Sequence, residues 1–531
     1  MGHRPRRPRA SRPHQRARGL PCRAGGWRLR HPGLGGIRPT VNITAETEQG
    51  TVVGTRGPLA VVFHGVPYAA PPVGRARFEA PAPPPHWSGE RDARLPGPNA
   101  PQPRRDRFGQ LDLSPFFADG WHHGDDYLTL SISAPPEAHR APVVVWVHGG
   151  AFLAGSTRAP AYDGESFARD GVVFVGVNLR VGAAGFLRLP DAPDNRGVLD
   201  VAAALGWVQR NIAAFGGDPG AVTLMGQSAG AIIVMDLLGR PDIHTLISRA
   251  IVQSGTGLGG LTGEQADVVT GALAAAIGVA PSAAGLADVS DEELVAAFPR
   301  LMDVDITRPG ARAPMDGIVR YGVVSDRQPL VSLPDGAGVG IPLLIGSNLD
   351  EAALYVPQSD RSDASAERAL HAAAARLNAD PDTIVEAYWR PDRTPDEAHI
   401  ALLSDGMFGL GTRLFAEAHS RAGLASTYVY EFEWRSDALQ NRLGASHLME
   451  LPFVFDNARM PSLHGPDRLL GDTPPPRDLA ERMHDSWIRF VTEGDPGWPA
   501  FTGPDGPVQR IGRSWTVQHA HRSAEFAAWG R

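Results

Sequence analysis

A mostly parallel β-sheet flanked by helices, an α/β fold with its sheet buried on both faces, is what this sequence predicts, and three observations carry the prediction. Nearly unbroken β-branched runs recur along the chain. Stretches with apolar residues at helical spacing lie between them. One turn rich in glycine and serine sits directly between such a run and such a helical stretch. A short antiparallel β extension precedes this body.

From Thr51 the chain is apolar and punctuated by turns, with Val61-Val62-Phe63-His64-Gly65-Val66-Pro67-Tyr68 and then a Pro-rich run through Pro85, the pattern of short antiparallel strands and loops. Ala141 to His148 and Val172 to Val177 lack polar alternation, as strands covered on both faces require. Between Asp200 and Ala214, residues Val201, Ala204, Leu205, Val208 and Ile212 recur at helical spacing. Val222 to Met225 is the next buried strand. The pattern returns at Ala250-Ile251-Val252 and at Ile341 to Ile345, with the Ala-rich helical stretch Ala364 to Leu377 further on. No internal repeat and no linker interrupts residues 41–531, which read as one elaborated domain.

Composition narrows the function classes. Hydrophobic residues make up 42% and charged residues 21%, well away from the composition of a disordered chain. Residues 1–40 carry eleven Arg and no acidic residue, so the remainder holds 40 Arg against 58 acids, a balance of −18. Such a body is a poor partner for nucleic acid, whose binding rests on neutralising phosphates with cations. Cys22 is the sole cysteine, which excludes an intramolecular disulfide and a cysteine-built metal site. No run of about 18 apolar residues signals a spanning helix. Residues 1–40, rich in Arg, Pro and Gly, lack the apolar stretch of a signal peptide. They read as a disordered basic tail, a transit-like leader or an over-extended start, the last being favoured. The expected location is the bacterial cytoplasm, with secretion left open.

The chemistry concentrates in Gly226-Gln227-Ser228-Ala229-Gly230, directly after a predicted strand and before the apolar stretch Ala231 to Leu238. This context suits a nucleophile elbow, in which a serine on a sharp strand-to-helix turn presents its hydroxyl. A serine hydroxyl needs a base to take its proton and donors aimed at the developing oxyanion. The turn His148-Gly149-Gly150-Ala151-Phe152, ending the first buried run, offers the N–H groups of Gly150 and Ala151, with that of Ala229 as a third. Gly255-Thr256-Gly257-Leu258-Gly259-Gly260 has dinucleotide-motif spacing, but no second strand ending in an acid comes after it, and it reads as a loop.

These motifs resemble the type-B carboxylesterase and cholinesterase family, in its bacterial branch, from about Thr51 to the C-terminal region. Phe63 to Tyr68, Ala70 to Gly74 and Arg77-Phe78 are similar to that family's N-terminal signature. Phe215-Gly216-Gly217-Asp218-Pro219, Val222-Thr223-Leu224 and the serine motif resemble its nucleophile signature. The resemblance implies an α/β-hydrolase fold and a glutamate as the third triad member. Gly346 to Ala352 resembles the segment that carries it, matching Glu351, with Asp350 as the rival one residue away. Ala445-Ser446-His447, followed by Glu450 to Phe455, resembles the loop that presents the catalytic histidine. His447 would then be general base and acid, with Glu351 holding its tautomer. The resemblance also implies structural ion pairs, Arg77 with Asp125 and Arg180 with Asp200.

Departures from the family pattern matter too. Ala100 and Tyr127 stand where eukaryotic members pair cysteines, and Gln227 replaces the usual glutamate before the nucleophile. Trp121 is out of step with the tryptophan on which cholinesterases stack a quaternary ammonium, which argues against choline esters. The expected activity is hydrolysis of small-molecule carboxylic esters through an acyl-serine, with no metal or organic cofactor; oligomeric state is left open. A rival class is a catalytically silent adhesion or binding homologue. Those members typically lack the serine, whereas every catalytic position here is filled.

Overall fold

In the computed structural model, residues 1–2, 41–309, 311, 315, 317–325, 340–356, 363–377 and 380–530 are described. The chain divides into two units, Met1–Pro39 and Thr40–Arg531, and the second holds every strand and helix of the described residues. The expectation for residues 1–40 lies almost wholly outside the described residues.

The described residues form a 13-stranded sheet. Its strands, in chain order, are β1 (Val41–Thr47), β2 (Gly50–Arg56), β3 (Val61–Pro67), β4 (Thr129–Ala134), β5 (Ala141–Val147), β6 (Val173–Val177), β7 (Gly217–Gln227), β8 (Arg249–Gln253), β9 (Leu343–Asn348), β10 (Thr427–Phe432), β11 (Pro507–Ile511) and β12 (Trp515–His519), with the short strand Glu90–Asp92 beside β2. Their spatial order is β1-β2-β3-β4-β6-β5-β7-β8-β9-β10-β11-β12. The pairs from β6 through β11 are all parallel. Strands β1 to β4 join them through antiparallel pairs, and β12 closes the other edge antiparallel to β11. This is the mostly parallel sheet with an antiparallel N-terminal extension that the sequence predicts.

Side chains alternate across a strand, so an unbroken apolar run supplies two cores at once. Val143, Val145, Val147, Val175, Leu224, Val252 and Ile345 pack into one cluster. Val144, Trp146, Phe174, Met225, Ile251 and Leu344 pack into another. Each fully buried aliphatic side chain contributes about 1.5–3 kcal/mol of transfer free energy, which commits these runs to the interior.

Helix α1 (Arg196–Asn211) buries Val198, Val201, Leu205 and Val208 on one stripe against the first cluster. Helix α2 (Ala229–Leu238) is apolar nearly all round, and all its residues but Asp236 are buried, as expected for a helix leaving the centre of a sheet. Helix α3 (Arg477–Glu493) turns Leu479, Met483, Trp487, Phe490 and Val491 toward the second cluster. Strands β1, β4, β10, β11 and β12 lie outside the runs that sequence reading singles out. Residues 255–260 form a loop after β8.

Candidate active site

The parallel strands β5, β7, β8 and β9 all end at one edge of the sheet, and the candidate groups project from the turns there. Ser228 comes directly after β7 and has φ 56° and ψ −123°, a conformation unfavourable for a residue with a side chain. Its N–H donates to Gln253 O at 2.9 Å, and its O accepts from Ile232 N at 3.0 Å, so strand and helix hold it from both sides. A Cβ on Gly230 would lie 2.1 Å from Val147 O. Only glycine lets α2 start that close to β5.

The turn after β5 places Gly150 at φ 121°, where a Cβ would fall 1.9 Å from Ala154 O. Leu153 N and Ala154 N both donate to Gly150 O at 3.1 Å, which fixes the turn. The N–H groups of Gly150 and Ala151 enter no backbone hydrogen bond among the described residues. Ala229 is the first residue of α2, so its N–H has no intrahelical acceptor. Burial lowers His148 to about 4, and its neutral ring donates from Nδ1 to Gly149 O at 2.8 Å.

Glu351 opens a 3₁₀ turn (Glu351–Leu354) just beyond β9. Its Oε2 lies 2.5 Å from His447 Nδ1, and its Oε1 accepts from Asn348 N at 2.7 Å. His447 N donates to Glu351 O at 3.3 Å, a second tie between the two segments. Phe408 stacks on the imidazole at 4.6 Å and 18° from a five-residue π-helical segment (Asp405–Gly409). The other imidazole nitrogen, Nε2, lies 3.3 Å from Gln227 Nε2, which donates to it.

Behind this pair sits a buried acid. Glu450 accepts from Asn348 Nδ2 at 2.6 Å and from Gln253 Nε2 at 3.3 Å. Desolvation, with the nearby Glu351 charge second, raises it to about 7. Asp350 turns elsewhere: it accepts from Ala445 N at 2.9 Å and pairs with Arg435 at 3.1 Å. Burial raises its carboxyl too.

Ser228, Gly150, Ala151 and His447 line one pocket, together with Arg105, Phe108, Leu113, Phe117, Leu354, Tyr355 and Leu448. Of these, Arg105, Phe108 and Tyr355 carry no signal in the sequence, because loop residues acquire a role only when the fold closes round them. Trp121 stacks on His123 at 3.9 Å and is not among the lining residues.

Arg180 and Asp200 pair at 2.6 Å, both fully buried, and Arg180 also donates to Glu79 O at 2.6 Å. The expected pairing of Arg77 with Asp125 does not form. Arg77 instead donates from Nη1 to Asp291 at 2.8 Å and from Nη2 to the carbonyls of Leu286 and Val289, with its buried Nε left without a partner among the described residues, while Asp125 stays exposed.

A histidine backed by a carboxylate, a serine on a strained elbow and unpaired N–H groups beside it define a class: an α/β hydrolase equipped for acyl transfer. The chain matches the carboxylesterase family model over residues 41–529. It is 34% identical over 474 residues to the para-nitrobenzyl esterase of Bacillus subtilis, covering 86% of this chain and 92% of that protein. It is 33% identical over 501 residues to phenmedipham hydrolase of Pseudarthrobacter oxydans, covering 88% and 94%. A solved carboxylesterase of Geobacillus stearothermophilus superposes with a TM-score of 0.78 at 33% identity, covering 92% of this chain and 99% of that one. The protein belongs to the carboxylesterase family and is a serine ester hydrolase of its type-B class.

Proposed function

We propose that this protein hydrolyses small-molecule carboxylic esters through an acyl-serine at Ser228, with His447 as the proton carrier, Glu351 as its orienting carboxylate, and Gly150, Ala151 and Ala229 as the oxyanion donors. The observation that carries the reading is the 2.5 Å contact between Glu351 and His447 Nδ1, which favours the tautomer with its proton on Nδ1 and Nε2 free to accept one, in a residue that lines the same pocket as Ser228. Gln227 engages that nitrogen at rest, over a long 3.3 Å. The serine hydroxyl takes its place when substrate binds.

Ser228 Oγ attacks the acyl carbon as its proton passes to Nε2, and Glu351 stabilises the imidazolium. Negative charge grows on the carbonyl oxygen, where the three backbone N–H groups can donate to it. The intermediate collapses, the C–O bond to the alcohol breaks, and the imidazolium protonates the departing oxygen. Water then repeats the sequence on the acyl-serine, releasing the acid and restoring Ser228. The test is hydrolysis of 4-nitrophenyl esters: Ser228→Ala should fold normally and lose activity by several orders of magnitude. Retention of most activity by the folded variant would overturn the reading.

A further inference from the structure

The pocket contains a charge that the reaction does not use. Arg105 lies on the segment between Gln102 and Leu113 and lines the same pocket as Ser228 and His447. Its guanidinium Nη1 is buried and has no hydrogen-bond partner among the described residues. The arginines on either side behave differently: Arg104 pairs with Asp106 at 2.6 Å, and Arg107 approaches Asp112 at 3.9 Å. Carboxylates are therefore at hand on this segment, and Arg105 turns away from them into the pocket. Among the described residues, the other lining side chains there are apolar or neutral aromatic apart from Ser228 and His447, with no carboxylate.

The segment is also held firmly. Gln102 donates to Gly155 O at 3.1 Å and accepts from Gly155 N at 2.8 Å, and Leu113 N donates to Asp106 O at 2.7 Å. Arg105 as a whole is half-buried, and a partly desolvated cation with no counterion among the described residues costs some stability in the free protein. Burial accordingly pushes Arg105 below the ordinary arginine value, with Tyr355 acting weakly in the other sense. Such an arrangement is offset when an anion arrives with the ligand, and a guanidinium fork matches the planar geometry of a carboxylate.

We propose that Arg105 is a specificity-determining residue that receives a carboxylate carried by the substrate, so that the preferred substrates are esters bearing a free carboxylate near the scissile bond, such as half-esters of dicarboxylic acids. This rests on the reading of Ser228, His447 and Glu351 as the ester-cleaving groups. The carboxylate could sit on the acid or on the alcohol portion, and the two sources are separable.

Two matched pairs of substrates test it, followed by pH-stat titration: monomethyl glutarate against methyl pentanoate for the acid side, and 4-carboxyphenyl butyrate against 4-carbamoylphenyl butyrate for the alcohol side. In one pair the full-length protein should favour the carboxylate ester by about tenfold or more in kcat/KM. Arg105→Met should erase that preference, lowering kcat/KM for the charged ester about tenfold or more while changing the neutral one less than about threefold. Arg105→Lys should keep part of it. The Tm of Arg105→Met should equal or exceed that of the parent, whereas a structural arginine would lower it. Equal rates within both pairs would overturn the proposal, and so would an equal loss on both members in Arg105→Met. The comparison within each pair on the unmodified protein stands even if a variant fails to fold. Hydrolysis of neutral esters without any preference sinks the role of Arg105 alone. Failure to cleave any ester sinks the reading of the triad, and this proposal with it.

Discussion

Glu351 and His447 meet through a 2.5 Å contact between Oε2 and Nδ1, while Asp350, the adjacent acid, faces Arg435 and the backbone of Ala445. The two carboxylates differ by one position in the chain and are committed to different work. Glu351→Gln keeps the shape but removes the charge that stabilises the imidazolium, so kcat should fall on the order of a thousandfold or more with KM little altered. Asp350→Asn should reduce kcat far less, and its effect should emerge chiefly in Tm, because it weakens the tie to the loop that carries His447. Steady-state kinetics on both variants, with folding checked by circular dichroism, distinguish these outcomes.

Glu450 gives the fold a pH dependence of definite sign. Its carboxyl titrates at about 7 in the folded protein, against 4.5 for an unperturbed glutamate. Between those values the folded state holds a proton that the unfolded chain has released, so stability is lost as pH rises toward and through 7. Glu450→Gln removes the titration. The Tm of that variant relative to the parent should therefore improve on going from pH 5 to pH 8, by on the order of 2 °C for a domain of this size. An unchanged difference across that range would show that the acid is ionised throughout.

Arg180 and Asp200 are both fully buried, so removing one strands the other. Arg180→Met should destabilise by about 3–5 kcal/mol. The double change Arg180→Met with Asp200→Leu should recover a large part of that loss, since no charge is then left buried without a partner. Urea unfolding of the two variants and the parent measures both effects.

Much of this molecule is legible in the sequence because its central strands are uniformly apolar and its nucleophile sits in a local pattern. Val143 to Val147 reads as a doubly covered strand before any contact is known, and the Gly226-Gln227-Ser228-Ala229-Gly230 elbow needs only its neighbours in the chain. Strand β10 is harder. Glu431 interrupts its apolar run, and the reason it can be buried, a hydrogen bond from His521 at 2.6 Å and an ion pair with Arg522 at 3.0 Å, lies about ninety residues away. Arg77 fails for a related reason: several acids are compatible with it in sequence, and only the fold selects Asp291. Phe408 against His447, and Arg105 in the pocket, are likewise products of tertiary closure rather than of local pattern.

Whether Ser228 is a nucleophile activated by His447 can be read out by treating the protein with a fluorophosphonate and mapping the adduct by peptide mass spectrometry. A single stoichiometric adduct is expected on the peptide containing Ser228, absent in Ser228→Ala and formed far more slowly in His447→Ala. An adduct on another residue, or labelling of Ser228 at an equal rate without the histidine, would refute that activation.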